Sequence, residues 1–105
     1  MSGTIAFSDD SVWMVSNHSY RRLITRVADE LDDPDDTSKV TRAIYMQGLN
    51  FDKMPREQAL RIAPVMGRVA DELRWEIEVS PRNVRDAEFA QALAELEMLL
   101  HDVYE

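Results

Sequence analysis

Tyr20, Leu23, Ile24, Val27, Ala28 and Leu31 fall at i, i+3, i+4, i+7, i+8 and i+11. This spacing draws one apolar stripe along a helix, and no other feature of the chain constrains its fold so strongly. Ser16 or Asn17 stands where a helix cap is needed. Arg21, Arg22, Arg26, Asp29 and Glu30 occupy the other faces, basic early and acidic late. That order opposes the helix macrodipole, which favours anions at the start and cations at the end.

The same period recurs further on. Pro34, within Asp32-Asp33-Pro34-Asp35-Asp36, lacks an N–H and biases Asp33 away from the helical region, so the first helix ends there. Thr37 or Ser38 is then expected to cap a shorter helix with Val40, Ala43 and Ile44 inward. Gly48 near its end is the expected left-handed residue. Leu49-Asn50-Phe51-Asp52 reads as a loop anchored by Leu49 and Phe51. Pro55 suits the first turn of a third helix whose apolar face is Leu60, Ala63, Met66, Val69, Ala70 and Leu73. Pro64 lies inside it and predicts a kink or break near Ala63. Phe89, Leu93, Leu96, Leu100 and Val103, broadened by Ala92 and Leu99, mark a last helix that faces a core rather than a dimeric coiled coil.

Strand signals are confined to two places. Thr4–Phe7 and Val12–Val15 flank the turn-forming Ser8–Ser11 and predict a hairpin. Trp75, Ile77 and Val79 alternate with Glu76 and Glu78. Period two makes 75–79 a candidate third strand for the hairpin, while the alternative extends the preceding helix to Glu78. Trp13 and Trp75 are both expected at core-facing strand positions, with an interface anchor as the other reading. Ser80-Pro81-Arg82-Asn83 reads as a turn. The expected fold is therefore mainly α (α+β): one globular domain over 1–105, a small bundle of about four helices with a short N-terminal β-hairpin. The hexapeptide Arg26-Val27-Ala28-Asp29-Glu30-Leu31 recurs as Arg68-Val69-Ala70-Asp71-Glu72-Leu73, and the identity stops at both edges. It reads as two helices using the same good helical hexamer rather than as a duplication.

Composition narrows the chemistry. Twelve Lys and Arg face twenty Asp and Glu, a formal charge of −8, which argues against nucleic acid or an anionic membrane as partner. The absence of cysteine removes disulfides, thiolate metal sites and cysteine nucleophiles. Three glycines leave little for phosphate-cradling loops. The N-terminal stretch has neither the basic start nor the apolar core of a signal peptide, and Val12–Val15 is far short of a membrane span, so a cytoplasmic protein is expected. Calcium ligation fails on spacing: counted from Asp32, the loop positions that need Gly and Glu hold Thr37 and Ala43. His18 and His101 show no zinc-motif spacing. Ser19 adjoins His18 in sequence, but adjacent helical residues do not face each other. No enzyme, cofactor or metal site is expected. The chain is expected to be a monomer, with a homodimer as the alternative.

What remains is an uneven distribution of acids. Asp29, Glu30, Asp32, Asp33, Asp35 and Asp36 place six carboxylates in eight residues, and no Lys or Arg follows Arg85. Such a field steers a basic partner. The six are the candidate partner-binding residues. Size, charge and layout, with the opening Phe7-Ser8-Asp9-Asp10-Ser11-Val12-Trp13-Met14-Val15-Ser16-Asn17 running into an amphipathic helix, resemble the small immunity proteins of bacterial contact-dependent inhibition and other polymorphic toxin systems. The resemblance implies a protein that binds one cognate toxin domain in the cytoplasm and blocks its active site. A basic, nuclease-type domain is the expected target. The alternative is an acidic interaction module or adaptor subunit with no toxin partner.

Overall fold

The computed structural model describes residues 2–79 and 84–104. The strands β1 (Ser2–Ala6) and β2 (Val12–Ser16) form the expected hairpin, with Ile5 opposite Trp13 and Gly3 opposite Val15. Phe7 N–H donates to Ser11 O at 2.9 Å and closes the turn. Side chains alternate across a sheet, so Ile5 and Trp13 turn inward and are buried, while Val12 and Met14 face solvent. Gly3 is required by a close approach: a Cβ at that position would overlap the ring of Tyr20.

Helix α1 (Asn17–Glu30) follows directly, capped by Ser16, whose Oγ accepts from Ser19 N–H at 3.3 Å. Its stripe is buried as the periodicity predicts: Tyr20, Leu23, Ile24 and Val27 have no exposed surface. Tyr20 extends its hydroxyl to Ala43 O at 2.9 Å, and burial pushes its pKa up.

Helix α2 (Pro34–Met46) begins earlier than expected. Its cap is Asp33, which accepts from Asp35 N–H at 2.8 Å and Asp36 N–H at 3.2 Å, and not Thr37 or Ser38. The proline effect that ends α1 also starts α2: Asp33 is held in the extended conformation a cap needs, and Pro34 lacks only an N–H that has no partner in a first turn. The Thr37 hydroxyl instead donates to Leu31 O at 3.3 Å and Asp33 O at 3.0 Å. At the other end Gln47, not Gly48, is left-handed, with φ 56°. Gly48 is already in the third strand.

That strand is β3 (Gly48–Asn50), parallel to β1, giving the order β2-β1-β3. Part of the expected loop is thus a strand, followed by a 3₁₀ turn at Phe51–Lys53. Phe51 stacks on Phe7 with ring centres 5.2 Å apart and meets Tyr104 edge-on.

Helix α3 (Arg56–Val79) runs unbroken through Pro64 and on through 75–79, where the helical alternative holds and no strand forms. Leu60, expected on the apolar face, lies with Pro64 on the solvent side, and Ala59 and Ile62 are buried instead. The period-two reading of 75–79 fails because only Ile77 is buried. It continues the helical series Met66, Val69, Ala70, Leu73, while Trp75 and Val79 point outward, 65% and 63% exposed. Helix α4 (Val84–Tyr104) packs along α3 and against β2, with Phe89, Leu93, Leu96 and Leu100 buried. Trp13 Nε1 donates to Ala92 O at 2.7 Å and ties the hairpin to α4. The turn expected at 80–83 lies outside the described residues. The buried side chains form one cluster that takes in the sheet and all four described helices.

Candidate protein-interaction surface

The six clustered carboxylates separate into two groups. Asp36 is only 1% exposed. Arg61 grips it from α3 with two bonds, Nε to Oδ2 at 2.8 Å and Nη2 to Oδ1 at 2.9 Å, and Gln58 Nε2 donates at 3.1 Å. Arg61 holds the carboxyl below its ordinary pKa despite burial, and Gln58 adds to the effect. Asp33 is the helix cap. Glu30 reaches across to Arg68 Nη2 at 3.0 Å. Asp29, Asp32 and Asp35 stay exposed. Local stability therefore accounts for part of the cluster. Asp33, Asp35 and Asp36 open α2, where the macrodipole favours anions.

The repeated hexapeptide has a geometric meaning. Arg26 Nη2 pairs with Glu72 Oε2 at 3.3 Å, and Arg68 Nη2 pairs with Glu30 Oε2 at 3.0 Å. The first residue of each copy thus meets the fifth of the other, so α1 and α3 cross antiparallel with their two copies face to face. Val27, Val69 and Ala70 are fully buried beneath these pairs. Arg26 also meets Glu76 at 2.7 Å, a bond that lowers the pKa of Glu76 and raises that of Arg26. One turn on, Arg74 binds Glu97 of α4 at 2.8 Å and Asp71 at 2.9 Å.

These pairs surround Trp75. A shallow recess of about 610 Å³ is lined by Arg26, Asp71, Glu72, Arg74, Trp75, Glu76 and Glu78. The alternating pattern puts Trp75 at a core-facing position, but the structure leaves it in solvent among carboxylates. The signal that could have shown this was Leu73 and Ile77, one helical turn apart, which bracket Trp75 on the opposite side of α3. Trp13 is buried as expected.

A second recess, about 690 Å³, lies between β2 and the starts of α1 and α4, with His18, Ser19, Arg22, Arg85, Asp86 and Phe89 in its wall. Arg22 sits 5.7 Å over the Phe89 ring and 3.8 Å from Asp86. The Ser19 hydroxyl is engaged by Ser16 Oγ at 3.1 Å, within the cap of α1. Among the described residues no three His, Asp or Glu side chains are grouped to hold a metal ion, and no helix is long and apolar enough to cross a membrane. Neither a family model, nor a curated protein, nor a solved structure matches this chain.

Proposed function

We propose that the chain is a protein-binding domain that captures and neutralises a basic, nuclease-type toxin domain through an acidic surface, in the manner of the small immunity proteins it resembles. The observation that carries this reading is how the charges are used. Arg22, Arg26, Arg61, Arg68 and Arg74 are engaged in ion pairs, and although Arg21, Lys39 and Arg42 stay exposed, Asp29, Asp32 and Asp35 are exposed as well and the whole chain retains −8. A nuclease must present cations to hold phosphate, so an acidic surface is complementary to its active site. Opposite fields of this kind raise association rates to about 10⁸–10⁹ M⁻¹s⁻¹ at low salt. The reading places the protein in the cytoplasm, where such a toxin has to be stopped.

The test is co-purification with the polypeptide encoded immediately upstream. A complex that weakens as salt rises, and in which the activity of that polypeptide is blocked, is the expected result. A salt-sensitive complex without inhibition would make the chain an acidic adaptor. No complex at low salt would remove the toxin reading.

A further inference from the structure

Trp75 is the largest apolar side chain that α3 leaves in solvent, at 65% exposed, and Val79 one turn on extends the apolar surface. Leu73 and Ile77 fill the core side of the same turns, so nothing in α3 needs a tryptophan facing outward for folding. The charges around it are unbalanced. Arg26 is shared by Glu72 and Glu76, Arg74 by Asp71, Glu78 and Glu97, and Arg68 by Glu72 and Glu30, so six carboxylates hold three guanidiniums, a formal local charge of −3. Asp71 and Glu78 are the most open of these, with side chains 65% and 57% exposed. The charged lining of the neighbouring hollow is Arg21, Arg22 and Arg26 with Asp29 alone, so the negative rim ends at Arg26 and lies on the α3 side of it.

We propose that the α3 face centred on Trp75 is a docking surface for a protein that presents an apolar recess rimmed by lysine or arginine. The proposal rests on the acidic-capture reading above and names the surface that makes the contact. Binding hot spots combine a tryptophan inserted into a partner pocket with a surrounding ring that excludes water, and the carboxylates supply that ring here. The negative rim repels a second copy of the chain, nucleic acid and anionic lipid alike. It attracts a basic protein, and the indole adds the apolar contact that charge alone lacks.

Two synthetic peptides of equal charge test this: an amphipathic leucine–lysine peptide and a serine–lysine peptide. Each is titrated at low salt into the isotope-labelled chain, following its amide and indole N–H signals. The leucine–lysine peptide is expected to move the Trp75 indole and the amides of 71–79, and to leave the Trp13 indole in place. Trp75→Ala is expected to weaken it at least about tenfold, with Trp75→Phe intermediate. The serine–lysine peptide should bind several-fold more weakly and ignore both substitutions. Because the side chain is largely in solvent, both variants should unfold at the wild-type midpoint. Binding that perturbs 29–35 or α4 and is indifferent to Trp75→Ala would overturn the docking surface while leaving acidic capture standing. Failure of both peptides to bind would overturn acidic capture and the docking surface together.

Discussion

Asp36 is the one charged side chain buried among the described residues, and its environment explains why the charge survives there. Burial alone would favour the neutral acid. The bidentate Arg61 and the Gln58 amide outweigh it and hold the pKa below the ordinary 3.8. A group depressed in this way stabilises the fold above its unfolded value, and the contribution is lost as pH falls through the lower native value. Asp36→Asn is therefore expected to cost about 1–2 kcal/mol at neutral pH, near the lower end for bonds to a charged group because Arg61 is half in water. The gap from wild type should be full above pH 3.8 and close as the pH drops below it, read from urea unfolding across that range. None of this was visible in the sequence. Asp36 looked like one more acid in a run, and its partners lie a whole helix away on α3.

At the scale of the element, the long stripes were legible and the short or bounded features were not. The stripes of α1 and α4 have enough apolar positions to specify both helix and buried face, except at the end of α4, where Val103 is expected in the seam and is 47% exposed. Strand β3 has three residues and exists only because β1 is there to pair with, so no local pattern announces it. Asp33-Pro34 was read as an end when it is equally a beginning, since one conformation serves both. In 75–79 two periods coincide on Ile77, so the pattern leaves strand and helix open, and the helical alternative is the one the structure takes. The paired hexapeptides also show which forces hold the elements. Glu30 and Arg68 are 39% and 53% exposed, so their bond is screened and contributes at most about 0.5 kcal/mol. Val69 has no exposed surface, and its loss opens a cavity between α1 and α3. Val69→Ala is expected to cost about 2 kcal/mol, and Glu30→Gln at most a quarter of that, from paired urea unfolding curves. A larger effect from Glu30→Gln would mean that the reciprocal ion pairs, rather than apolar burial, join the two helices.

For the molecule as a whole, the question is whether its negative field acts on a partner or is only tolerated. Reversing the entire acidic run would strike Asp33 and Asp36, which hold α2 and its contact with α3, and a folding defect would then pass for a binding defect. Asp29, Asp32 and Asp35 are exposed and outside those contacts, so they isolate the field. Changing these three to Lys adds two charges at each and takes the formal charge from −8 to −2. The fold should lose only tenths of a kcal/mol, mainly at Asp35, whose carboxylate faces the positive end of α2. Association with the co-purifying basic partner should slow by roughly tenfold or more at low salt and lose much of its salt dependence, since long-range attraction acts chiefly on the rate of encounter. Dissociation should change less, because it depends on close contacts such as those proposed at Trp75. Stopped-flow association rates at low and physiological salt give both quantities. Equal rates and equal salt slopes for the two proteins would show that the exposed acids of this loop do no steering. Attraction would then have to come from the carboxylates around Trp75, where reversing Asp71 and Glu78 should produce the effect the loop did not.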